Sequence, residues 1–99
     1  MIQQNAKGRL RETPRELSDE GQVGDWCFVN DEYGHRILIR IPDGSERGDL
    51  CRWRLEPVPR PDIDDWQWDG NREAPTLTPS LHLVGVWHGW MRAGELISC

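Results

Sequence analysis

Long hydrophobic runs are missing from this chain of 99 residues. Nothing in it approaches the roughly 20 apolar residues that a membrane-spanning helix needs. The opening residues, "MIQQNAKGRLRETP", carry no apolar core of the kind that directs secretion, so the chain reads as soluble and cytoplasmic. Cysteine is scarce: Cys27, Cys51 and Cys99 are odd in number and widely spaced, which excludes a disulfide-stapled secreted domain and leaves reduced thiols. Positive charge is also short. Lys7 is the only lysine, and the net charge is -5. A nucleic-acid backbone demands a cationic face that displaces counterions, so direct nucleic-acid binding is disfavoured.

What the chain does have is tryptophan. The hydrophobic fraction is only 36%, and six tryptophans supply bulk to a core that aliphatic side chains alone would leave thin. The length allows one small domain. Residues 1–21 read as an N-terminal arm or a short helix, and residues 22–99 as a β-domain. Within the arm, Thr13 is placed as an N-cap, Pro14 at the first helical position, Glu16 as a capping-box partner and Gly21 as a stop. Such a helix has two turns and needs tertiary contacts to persist.

From Gln22 onward the hydrophobic period is two. In "HRILIRIP" the isoleucines 37, 39 and 41 alternate with arginines, and "DWCFVN" reads as the hairpin partner across Asn30–Gly34. "LCRWRLEP" follows a turn at Asp43–Gly44, with Cys51, Trp53 and Leu55 on one face and Arg52 and Arg54 on the other. Pro57, Pro59 and Pro61 break the pattern into an extended connector. "WQWDGN", "TLTPSLHL" and "VGVWHGWMR" supply further strands, and "WMRAGELIS" a closing hairpin across Ala93–Gly94. Gly89 marks a bend or bulge. The fold class is all-β or β-dominated: a small single domain, either an antiparallel barrel or two packed sheets.

Three kinds of chemistry are open to these residues. His82, His88 and Cys99 are metal-ligand types, although zinc sites normally pair ligands a few residues apart. Nucleophilic catalysis has less behind it: no cysteine adjoins a helix N-terminus, and Ser80 follows a proline without the glycine-flanked elbow of hydrolases. Finally, Asp62, Asp64, Asp65, Trp66, Trp68 and Asp69 form an acidic, aromatic surface suited to a basic protein face.

"WQWDGNREAPTLTPSL" and "WHGWMRAGELISC" together resemble the C-terminal half of a family of small bacteriophage and prophage proteins. The shared elements are the turn from Trp66 to Asn71, the strand from Pro75 to Leu81, the Trp87–Trp90 element and the glycine hairpin at Gly94. Members often carry an ammonia monooxygenase label, which this sequence does not support, having no multi-pass membrane segment and no copper site. Trp87 stands where relatives with a Cys-His pair have the cysteine, which removes one metal ligand. The resemblance implies work in the cytoplasm of an infected bacterium.

The leading expectation is thus a non-enzymatic, phage-type accessory protein without cofactor, binding a host or phage protein through its acidic, tryptophan-bearing loops. An inhibitor of a bacterial defence system is one version of it. The alternative is a zinc-binding domain, structural or hydrolytic, built from His82, His88 and a cysteine.

Overall fold

The computed structural model describes residues 1–32, 34–56 and 66–99. In chain order the elements are β1 (Ala6–Lys7), α1 (Pro14–Glu20), β2 (Trp26–Asp31), β3 (Gly34–Ile41), β4 (Asp49–Glu56), β5 (Trp66–Trp68), β6 (Leu77–Thr78), β7 (Leu81–Leu83), β8 (Trp87–Arg92) and β9 (Glu95–Ser98). They form two packed sheets, one ordered β1-β9-β8-β7 and the other β2-β3-β4-β5-β6. Among the described residues no helix is long and apolar enough to cross a membrane.

The period-two pattern of the sequence decides which faces meet. Ile37, Ile39 and Ile41 are fully buried, joined from the same sheet by Trp26, Trp53, Leu55 and Leu77. The smaller sheet answers with Leu81, Trp87, Met91 and Leu96. The hairpins fall where alternation places them: β2 pairs β3 from Trp26 opposite Ile39 to Asp31 opposite Gly34, and Arg92 of β8 faces Glu95 of β9 across the last turn. One pairing escapes the pattern. β5 lies parallel to β4, with Leu55 opposite Trp66.

The N-terminal segment packs more closely than its polar composition predicts. Thr13 Oγ1 accepts from the Glu16 N–H at 3.1 Å, the expected cap. Glu16 reaches back to the Glu12 N–H at 3.3 Å instead of to the cap residue's own amide. α1 has no basic residue in its last turn, so arginines from elsewhere meet its carbonyls. Arg40 donates to Ser18 O at 2.7 Å, and Arg47 to Ser18 O at 2.6 Å and Gly21 O at 2.9 Å. Below the helix, the buried Arg11 guanidinium donates to Asp25 Oδ2 at 2.8 Å. That bond, more than any other influence, pushes the Arg11 pKa upward. β1 then adds the arm to the smaller sheet, with Ala6 opposite Leu96.

Two local expectations need correction. "TLTPSLHL" is not one strand: β6 ends at Thr78 in the larger sheet, and β7 begins at Leu81 in the smaller. The chain changes sheets through Pro79 and Ser80, because proline cannot donate to a ladder. Gly89 makes no bulge either, since β8 stays in register with both neighbours through it. Its lack of a side chain is needed for close packing: a Cβ there would meet Ile97 O and lie 2.5 Å from Trp87 Cη2. The proline-rich connector lies outside the described residues.

Candidate active site

The change of sheet at Pro79–Ser80 sets up the chemistry. β7 and β8 form a tight antiparallel pair, Leu81 opposite Gly89, His82 opposite His88 and Leu83 opposite Trp87. Side chains alternate on β8, Trp87, Gly89 and Met91 being buried while His88 and Trp90 are half-buried. His88 therefore lies on the outer face. Ser80, one residue before β7, shares the parity of His82 and falls diagonally across from His88. Ser80 Oγ and His88 Nε2 are 3.0 Å apart, the separation of a nucleophile from its general base.

The surroundings hold this pair in place. The Trp66 indole N–H donates to Pro79 O at 3.0 Å and Ser80 O at 3.3 Å, tying the sheet-crossing residues to β5. Trp66 is itself braced by the edge of Trp53, ring centroids 6.4 Å apart. The exposed His82 ring packs on His88 with centroids 4.5 Å apart and planes tilted by 32°. This is a stacking contact that restrains the imidazole plane. On the main-chain side, His88 O accepts from the Cys99 N–H at 3.0 Å, fixing the strand behind the ring. An open groove of about 270 Å³ lies beyond Thr78, lined also by Gln67, Trp68, Asp69 and Thr76.

Of the residues singled out from sequence, His82 and His88 are brought together, and the strand register sets Cys99 beside His88 on β8's other flank. Among the described residues, no three His, Cys, Asp or Glu side chains are grouped so as to hold a metal ion. Trp66 has its indole on the Ser80 loop. Trp68 packs on Phe28 at 4.5 Å and donates to Asn71 O at 3.0 Å, while Asp69 Oδ1 accepts from the Asn71 and Thr76 amides at 3.1 and 3.3 Å. Asp62, Asp64 and Asp65 lie outside the described residues. Burial pushes the Cys51 thiol up to about 11, helped by the negative charges of Asp49 and Asp43, and burial also raises Cys27. Neither thiol is activated.

Ser80 is the residue that sequence reasoning passed over. Such reasoning requires a serine on a glycine-flanked strand-to-helix elbow, whereas this one stands on a strand-to-strand crossing and meets its histidine through a hairpin. The signal was present: a turn centred on Gly85 pairs residue 82 with 88 and brings 80 diagonally to 88.

No curated protein and no solved structure matches the chain. A family model described as bacterial ubiquitination-like system serine protease (BubE) matches residues 11–99. That match overturns the expectation of a non-enzymatic, phage-type binding protein or defence inhibitor. The expectation rested on finding no glycine-flanked serine elbow, a criterion blind to a serine that β7–β8 pairing sets beside a histidine. With all but its first ten residues matched, the chain belongs to the BubE family of bacterial ubiquitination-like system serine proteases.

Proposed function

We propose that the protein is a serine peptidase in which Ser80 is the nucleophile and His88 the general base. The observation that carries this is the 3.0 Å contact between Ser80 Oγ and His88 Nε2 in a chain of this family. With the imidazole proton on Nδ1, Nε2 accepts the Ser80 hydroxyl proton as Oγ bonds to the substrate's acyl carbon. The protonated Nε2 then hands that proton to the departing amine, whose bond to the acyl carbon breaks. Water repeats the sequence on the acyl-enzyme: its proton goes to Nε2 as its oxygen bonds to the acyl carbon, then the bond from that carbon to Ser80 Oγ breaks and Oγ takes the proton from Nε2. His82, stacked on the ring, is a positioning residue, and Trp66 positions Ser80 through the adjoining carbonyls. The family description supports a protein substrate within a bacterial ubiquitination-like system.

The test is covalent labelling with a fluorophosphonate, which reacts only with activated serines, followed by peptide mapping. Ser80 is expected to carry the label, Ser80→Ala to abolish it, and His88→Ala to slow it by about 10²-fold or more. A label on another residue, or one added equally fast to His88→Ala, would refute the assignment.

A further inference from the structure

The outer face of the smaller sheet continues past Ser80. Extending the β7–β8 register by one pair sets Ser80 directly opposite Trp90, while His88 is the diagonal neighbour. Trp90 lies two residues along β8 from His88, roughly 7 Å away on the same face. Across on β9 its partner is Ile97, also half-buried. Arg92, the next outward residue of β8, sits over the Trp90 ring at 4.8 Å and fixes its orientation.

Four of the six tryptophans use the indole N–H inside the fold. The indole N–H groups of Trp26, Trp66, Trp68 and Trp87 each donate to a backbone carbonyl. Among the described residues those of the core Trp53 and of Trp90 have no such partner, and of these two Trp90 is the one on the outer face, across from Ser80. An oriented aromatic surface with a free donor, adjoining an aliphatic side chain, suits an apolar side chain and a neighbouring substrate carbonyl.

The position also selects a side of the scissile bond. In the proposed mechanism, on which this inference rests, His88 Nε2 returns the proton to the leaving group, which must therefore lie over His88. Trp90, directly across from Ser80, is set two residues along β8 from His88 and so away from the leaving group. We propose that Trp90, with Ile97, forms the subsite for an apolar side chain on the acyl side of the scissile bond.

Hydrolysis of two p-nitrophenyl esters, of N-benzyloxycarbonyl-leucine and of N-benzyloxycarbonyl-glycine, tests this. The wild type is expected to favour the leucine ester about ten-fold in kcat/KM, a preference of the size a hydrophobic subsite supplies. Trp90→Ala is expected to bring the ratio near one, chiefly through KM, and Trp90→Phe to retain most of it. An unchanged ratio in a Trp90→Ala protein with native circular dichroism overturns the inference, as does a wild type without preference. If Trp90→Ala fails to fold, Trp90→Leu carries the same test, an unchanged ratio again overturning it. Ester hydrolysis that persists in Ser80→Ala, or is absent from the wild type, instead overturns the peptidase reading and this inference with it.

Discussion

At the scale of single residues, identity matters most where two side chains of similar chemistry are given opposite surroundings. Trp87 and Trp90 are three positions apart in one strand, yet Trp87 is fully buried, its indole donating to Gln4 O at 3.0 Å, while Trp90 faces outward beside Ser80. The cysteines divide in the same way. Cys99 is exposed, Cys27 buried and Cys51 half-buried, and alkylating reagents attack only the thiolate. Burial disfavours that anion, so Cys51, its pKa pushed up to about 11, remains a thiol well above neutral pH. With iodoacetamide at pH 8 the folded protein is expected to label at Cys99 alone, followed by mass spectrometry. Cys51 should join only as the pH climbs toward 11. The sign for stability follows: a thiol pKa raised by folding contributes stability that is present below the ordinary thiol range and lost as pH rises through the folded value.

At the scale of elements, hairpins were legible and sheet changes were not. Alternation in "HRILIRIP" and "LCRWRLEP" names the buried face without ambiguity, since a one-residue slip would expose every isoleucine. The Thr13 cap was equally legible, being a contact between residues three apart. The parallel β4–β5 pair and the crossing at Pro79–Ser80 depend on partners distant in sequence, and a local pattern carries no information about those. Trp66 shows the consequence for the site. Its place beside Trp68 suggested a surface aromatic, while its indole N–H bonds Pro79 O and Ser80 O from the other side of the crossing. Trp66→Phe keeps a ring against Trp53 and removes that donor. In the peptidase reading, misplacing a nucleophile by a fraction of an ångström lowers the rate of the chemical step. The variant is expected to lose about ten-fold in kcat with little change in KM. A rise in KM at constant kcat would show that Trp66 serves binding instead.

At the scale of the whole molecule, the Ser80–His88 pair belongs to neither sheet alone. Ser80 sits on the connection between them, its carbonyl held by β5 of the larger sheet, and His88 projects from β8 of the smaller. Behind both lies one core to which each sheet contributes, so the sheets cannot part without exposing Trp87, Leu81 and Leu77 together. A domain of this size with a single shared core is expected to unfold in one cooperative transition. Loss of the Ser80–His88 geometry should then require loss of the fold. In a urea titration, the rate of fluorophosphonate labelling at Ser80, tryptophan fluorescence and far-ultraviolet circular dichroism are expected to share one midpoint. The result that contradicts this is a labelling rate that collapses at lower urea while both spectroscopic signals remain native. That would mean the sheet crossing opens on its own, and that the Trp66 clamp, not the shared core, sets the persistence of the site.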